Sequence, residues 1–325
     1  MKTYKVGIIG AGSIARAMAA TVNGMGNATG YAIASRDIRK AEEFARQWHF
    51  ERAYGSYQAL IDDPEVDLIY IATPHSHHYE QARQCIEAGK PVLCEKAFTA
   101  NAAQAEALLQ LAEERNVFIT EAIWTRYMPF SRQIADTLRS GIIGNPYLLT
   151  ANLGYPIRQV ERLQKPELAG GALLDVGIYT LNFAAMLFGT DIEHTESACM
   201  KAPSGVDAQD CITLCYPGER MAVLTCSMYA CTDRLGIVSG EKGHLIVENI
   251  NNPQRMRVVD NSYRTIAEYA APPQITGYEY EVEACIEAIA NGWKESPHMP
   301  HAETLRIMRQ MDSLRAAWGI RYPFE

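Results

Sequence analysis

The segment KVGIIGAGSIA, residues 5–15, constrains the fold more than any other part of the chain. A short apolar run, Val6, Ile8 and Ile9, leads into Gly10-Ala11-Gly12-Ser13-Ile14-Ala15, and helix-forming sequence follows. Gly10 permits a tight turn out of a strand, and Gly12 lets the backbone approach phosphate oxygens. Ala15 is small enough for a new helix to pack on a sheet. The N-terminus of that helix offers unpaired N–H groups to an anion. This order of strand, glycine turn and helix predicts the first βαβ unit of a dinucleotide-binding domain. Gly10, Gly12, Ser13, Ile14 and Ala15 are the candidate pyrophosphate contacts.

Up to about Glu121 strand-like and helical patterns alternate. Strands are expected near 5–9, 29–34, 67–72, 91–94 and 117–120, and helices near 13–24, 38–48, 76–88 and 101–115. Such alternation predicts a doubly wound parallel sheet covered on both faces. After Trp124 the pattern changes. A helix near 129–140, a charged loop over 155–169 and a helix near 172–187 precede a run of strands. Those strands, near 192–200, 207–216, 219–229, 234–240, 244–248 and 254–259, predict a large, mostly antiparallel open sheet. Helices near 277–291 and 301–318 close the pattern. The expectation is an α/β Rossmann domain over 1–122 and an α+β domain over 123–325 for substrate binding and oligomerisation.

The net charge of −8 argues against nucleic acid or an anionic membrane as partner. The apolar runs read as shorter than a membrane span, and the immediate strand leaves no signal peptide. The eight cysteines form no C-x-x-C and fall mostly in apolar strand-like runs, as Cys211, Cys215 and Cys226 do. They read as buried, reduced thiols of a cytoplasmic protein.

In a first βαβ unit an acid at the end of the second strand serves the ribose 2′-hydroxyl of NAD. Here that strand ends in Ser35-Arg36. A hydroxyl and a planar guanidinium suit a 2′-phosphate, so NADP is expected in preference to NAD. The following Asp37 reads as a helix cap.

Three further segments place polar groups at the ends of buried elements. Thr73-Pro74-His75-Ser76-His77-His78 follows an apolar strand, on the edge where such sheets bind ligands. No carboxylate completes a ligand pattern there, and no metal is expected. Glu95-Lys96 ends another strand on the same edge, and on pattern alone it reads equally as an exposed ion pair. In Gly170-Gly171-Ala172-Leu173-Leu174-Asp175-Val176-Gly177-Ile178-Tyr179, Asp175 and Tyr179 are four apart on an apolar helix and share a face. A carboxylate in that setting needs a partner.

Taken in order, GAGSIA, ATPHSHH, CEKA, EAIWTRY and GGALLDVGIY resemble the Gfo/Idh/MocA oxidoreductases over essentially the whole chain. The resemblance is greatest to the dimeric dihydrodiol dehydrogenase and NADP-dependent D-xylose dehydrogenase branch. The usual Glu-Lys-Pro is Glu95-Lys96-Ala97 here, which keeps the lysine. Many members carry histidine where this chain has Tyr179, and tyrosine at that place resembles the dihydrodiol branch. The resemblance implies that Lys96 lies between the nicotinamide ribose and the reacting oxygen, and that Tyr179 transfers the hydroxyl proton. A free tyrosine titrates near ~10, so an ammonium group must favour its phenolate, and Lys96 is the candidate. Asp175 would hold the substrate hydroxyl or orient Lys96. Thr73, Pro74, His75, His78 and Glu95 would border the cofactor, with Trp124 and Arg126 lining the site.

The expected activity is NADP-dependent hydride transfer to or from a sugar, polyol or cyclic trans-dihydrodiol. A cofactor-retaining glycosidase and a non-catalytic NADP sensor are the alternatives on the same fold. The open sheet has too few helices to cover both faces, which predicts a homodimer or homotetramer. Its outward side is expected to carry Thr213, Cys215, Leu224 and Cys226.

Overall fold

In the computed structural model, which describes residues 2–325, the glycine motif starts a Rossmann unit as its pattern requires. Strand β1 (Tyr4–Ile9) buries its last four residues, and α1 (Ser13–Gly24) packs Ala15, Met18, Ala19 and Val22 inward. The alternation continues with β2 (Ala28–Ala34), α2 (Ile38–Trp48), β3 (Arg52–Tyr54), α3 (Tyr57–Ile61) and β4 (Leu68–Ile71). It ends with α4 (His75–Glu87), β5 (Val92–Glu95), α5 (Ala102–Arg115) and β6 (Ile119–Ala122). The sheet order is β3-β2-β1-β4-β5-β6, with every neighbouring pair parallel. Connectivity reverses between β1 and β4, so the carboxyl ends of these strands border the crevice where doubly wound sheets take ligands.

The predicted helices stop where their caps do. Asp37 accepts the Arg39 N–H at 3.1 Å and Asn101 accepts the Gln104 N–H at 2.9 Å. His49 and Asn116 close α2 and α5 in the left-handed region. The short β3 and α3 carry too little periodicity to be seen in sequence.

The second sheet has eight strands. Helix α6 (Pro129–Arg139) and β7 (Pro146–Gly154) come first, and then a π-turn at Leu173–Gly177 runs into α7 (Ile178–Phe188). Strands β8 (His194–Lys201), β9 (Asp207–Tyr216), β10 (Arg220–Ser227) and β11 (Gly236–Gly240) follow. So do β12 (Gly243–Glu248), β13 (Arg255–Asp260) and β14 (Thr265–Ala270). The order is β14-β13-β12-β11-β7-β10-β9-β8, antiparallel throughout except for β7 with β10. Strand β7, absent from the sequence expectation, thus lies at the centre of the sheet.

One face of this sheet is packed by α7 and the π-turn, over buried Leu149, Ala151, Ile212, Leu214, Ala222 and Leu224. The outward set corrects the expectation. Register pairs Thr213 with Val223 and Cys215 with Met221, so Leu224 and Cys226 belong to the other face, and both are buried. Leu148, Met221, Val223, Ile237 and Ile246 point outward, interleaved with threonines.

The chain forms two compact units, but not with a single boundary at 122. One unit runs to Tyr127 and takes back Gln274–Arg309; the other holds Met128–Pro273 and Gln310–Glu325. The helix Glu279–Asn291 packs Val282, Cys285, Ile286 and Ala288 into the same core as Val6, Ile8, Met18 and Val22. Burying a valine or isoleucine such as Val282 or Ile286 contributes about 1.5–3 kcal/mol, so the Rossmann core claims this helix.

Pro166–Phe188 meets the length and apolarity of a membrane span, which the sequence reading did not notice, yet 83% of the apolar window is buried inside the protein. All eight cysteines are free; Cys85, Cys94, Cys226 and Cys285 are buried, whereas Cys211 is exposed.

Candidate active site

At the end of β1, Gly10 has φ +100°, and its N–H donates to the Ala34 carbonyl at 2.9 Å. A Cβ there would lie 2.8 Å from the Ala72 carbonyl oxygen, so both conformation and packing require glycine. Gly12 is different. It is the N-cap of α1, and a Cβ on it would meet no protein atom within 4 Å. The fold itself does not need that glycine; an anion closing on the helix N-terminus does. Ser13 is exposed beside it, Ile14 half-buried and Ala15 fully buried, and the first turn of α1 carries no acid. These residues fit a dinucleotide pyrophosphate.

Past β2, the Ser35 N–H donates to Tyr54 O at 3.1 Å and the Ser35 hydroxyl accepts the Asp37 N–H at 3.3 Å. Arg36 is exposed, and its charge adds to burial in lowering the pKa of His77. Asp37 is occupied as the cap of α2. The end of β2 thus offers a cation and a hydroxyl, which fits a 2′-phosphate.

Three buried groups hold the backbone around Lys96. Glu95 accepts the Lys96 N–H at 3.2 Å, and its other oxygen takes the Tyr70 hydroxyl. His78 lies with Nδ1 2.9 Å from Ala97 O and Nε2 2.8 Å from Thr73 O, bridging the loops after β4 and β5. Glu121 accepts the Phe98 N–H at 3.1 Å, and burial pushes its pKa up to about 7. Lys96 itself is half-buried, at the carboxyl edge of the sheet. A side chain whose backbone is fixed from three sides keeps one geometry, which a reacting group needs.

Around this edge, Thr73 donates to Gln81 Oε1 at 2.6 Å, Pro74 caps α4, and His75 is buried with its ring edge-on to His78. Trp124 is buried and stacked on Tyr278, centroids 4.3 Å apart. Arg126 forms a mostly buried ion pair with Glu303 at 3.0 Å. Glu281, fully buried next to Glu95 and Tyr70, has no hydrogen-bond partner at either oxygen, and burial drives its pKa well up. Sequence reading missed Tyr70, Glu121 and Glu281, although an acid inside the apolar helix Glu279–Asn291 is a visible signal. Among the described residues, no His, Cys, Asp or Glu cluster could hold a metal.

In the second unit, Asp175 lies inside the π-turn and Tyr179 in the first turn of α7, both buried. The expected α-helix from 172 therefore begins with a π segment, a local form common at functional sites. The partner that Asp175 needs is Arg162, at 2.8 Å, from the charged 155–169 loop. That residue was not picked out in sequence, though the charged loop pointed to it.

Residues 4–122 match the family described as "Oxidoreductase family, NAD-binding Rossmann fold", and residues 131–246 match the GFO/IDH/MocA C-terminal domain. The mouse trans-1,2-dihydrobenzene-1,2-diol dehydrogenase is 33% identical over 330 residues, covering 98% of this chain and 97% of its own. The human protein of that name is 35% identical over 301 residues, covering 90% and 89%. Among solved structures, KijD10, a 3-ketoreductase from Actinomadura kijaniata in complex with NADP and TDP-benzene, has a TM-score of 0.88 at 26% identity. That alignment covers 97% of this chain and 98% of KijD10. The aldose-aldose oxidoreductase of Caulobacter crescentus shares the fold, with a TM-score of 0.87 at 22% identity over 98% of each chain.

Proposed function

Because the chain belongs to the Gfo/Idh/MocA oxidoreductases, we propose that it uses NADP to interconvert a secondary alcohol and its carbonyl on a sugar, polyol or cyclic trans-dihydrodiol. The observation that carries this reading is the clamped backbone of Lys96, held by Glu95, His78 and Glu121 at the ligand-binding edge. The relatives named as diol dehydrogenases and the neighbour with bound NADP support the substrate class and the cofactor.

When bound, NADP supplies or accepts hydride at its nicotinamide. Gly10 and Gly12 leave the N–H groups of α1 to the pyrophosphate, and Ser35 with Arg36 holds the 2′-phosphate. Thr73, Pro74 and His75 border the nicotinamide half, and Trp124 closes that end. Lys96 holds the ribose and the reacting oxygen. Tyr179 moves the proton of the substrate hydroxyl, and Asp175, aligned by Arg162, accepts a hydrogen bond from a second hydroxyl. The protein works as a homo-oligomer built on the outward face of the eight-stranded sheet.

A panel of aldoses, ketoses, inositols and trans-dihydrodiols, assayed with NADP and with NAD, tests the reading through the absorbance of the reduced nicotinamide. Reduction of NADP by at least one class is expected. Hydrolysis of a glycoside with no net change in that absorbance would overturn it in favour of the glycosidase. No turnover with any class would leave the sensor.

A further inference from the structure

Beneath the turn that carries Asp175, two aspartates of β9 face each other out of water. Asp207 and Asp210 are 0% and 4% exposed. Oδ2 of Asp207 accepts the Leu173 N–H at 2.5 Å, and Oδ2 of Asp210 accepts the Cys226 thiol at 3.0 Å. The remaining oxygen of each, Oδ1, is buried without a hydrogen-bond partner, and the two carboxyls lie near enough for each to act on the other's charge. Two carboxylates this close, out of water and without a cation, cannot both stay ionised, so one acid keeps its proton.

The surroundings supply neutral neighbours rather than a cation. Cys226 comes from β10, Cys199 of β8 is paired across from Asp210, and Tyr322 of the C-terminal segment faces Asp207. Lys201, paired with Asp207 along the strand, sends its ammonium group to Gly319 O at 3.3 Å. Among the described residues, neither aspartate forms an ion pair with a cation. Burial and mutual repulsion hold the Asp210 pKa up to about 9.

The pair also fits the turn closely. Gly171 has φ +115°, and a Cβ on it would lie 2.2 Å from Asp207 Oδ1. A Cβ on Gly177 would lie 3.1 Å from Cys226 Sγ. Asp207 thus ties the start of the π-turn, and Cys226, bonded to Asp210, packs under its end. We propose that Asp207 and Asp210 share one proton and act together as a positioning clasp for the π-turn that presents Asp175 and Tyr179. Their role in turnover rests on the proposed activity; the clasp itself does not.

Two measurements need no substrate. The infrared spectrum at neutral pH should show protonated-carboxyl absorption, of which Asp210→Asn removes one component and leaves that of other buried acids such as Glu281. Amide hydrogen exchange over 171–180 should quicken at least tenfold in Asp210→Ala and stay near wild type in Asp210→Asn, which still donates to Asp207. An unchanged spectrum, or unchanged exchange in Asp210→Ala, would overturn the clasp.

The pH dependence has a defined sign. A carboxyl whose folded pKa exceeds its unfolded value stabilises the fold at low pH, and that contribution drains away as pH rises toward about 9. The thermal midpoint of Asp210→Asn should therefore gain on wild type between about pH 4 and 9, and a constant difference would count against the shared proton. Once a substrate is found, kcat should fall at least tenfold in Asp210→Ala with the cofactor Kd unchanged, and recover in Asp210→Asn. Faster exchange with unaltered kcat would overturn the positioning role while leaving the proposed activity intact.

Discussion

Nδ1 of His78 lies 2.9 Å from the carbonyl oxygen of Ala97, which sets α4 against the loop holding Lys96. The second ring nitrogen faces Thr73 O at 2.8 Å, but a neutral imidazole has one N–H to give. Burial lowers the His78 pKa to about 4, outweighing the pull of the carbonyls. A histidine kept neutral in the fold must be charged on unfolding in acid. Its stabilisation is present above about pH 6.5 and is lost as pH falls toward 4. Thermal unfolding of wild type should weaken over that window, and His78→Gln should weaken less. A parallel decline in both proteins would show that His78 does not titrate as the structure requires.

Arg36 should make the protein prefer NADP. Asp37, the acid that follows Arg36, caps α2, and the strand before it ends in a hydroxyl and a cation. Losing a charge-assisted phosphate contact costs about 1.5–3 kcal/mol, or roughly ten- to a hundredfold in affinity. Arg36→Ala should weaken NADP by that factor and barely alter NAD in a fluorescence titration. Equal Kd values for the two cofactors in wild type would refute the assignment.

Lys96 and Tyr179 should behave as one unit in kinetics. A phenol and an ammonium group suit proton transfer near neutrality only when they act together. Lys96→Met and Tyr179→Phe should each lower kcat by about a hundredfold or more. The double variant should lose little beyond the worse single one. Fully multiplicative losses would mean that the two serve separate steps.

The outward face of the eight-stranded sheet should be an interface between copies. Leu148, Met221 and Val223 form an apolar patch on neighbouring strands, while α7 and the π-turn pack on the opposite face. A stable assembly should bury on the order of 1,200 Å2 or more in total. Light scattering at micromolar concentration should report at least a dimer, and Val223→Glu should dissociate it. A 36.1 kDa particle in wild type would dismiss the interface.

The parts legible in sequence are those fixed by local chemistry. Gly10 needs its φ, Asp37 needs a helix to cap, and the alternating apolar runs need two covered faces. The parts missed depend on distant neighbours. Strand β7 does alternate, with Leu149, Ala151 and Leu153 inward, but nothing local shows that its parallel partner is β10, some 70 residues on. The facing of Leu224 follows from register with β9, and register is a tertiary fact. Nothing local sets Asp207 and Asp210 apart from other acids in strands; their shared burial without a cation is a tertiary fact. At the candidate site, motif positions were readable one by one, while the groups that hold Lys96 and Asp175 in place were not. Those supports, Glu121 and Arg162, come from other elements.

The return of residues 274–309 to the first unit has a consequence in time. On the ribosome, the strands of the nucleotide-binding sheet emerge first, but the helix that shields Val6, Ile8 and Met18 is made last. For most of synthesis that face must stay wet, or be covered by something else. The unit that begins first along the chain is therefore finished late, and a nascent chain halted before residue 274 has every nucleotide-binding motif but not the helix that completes its core.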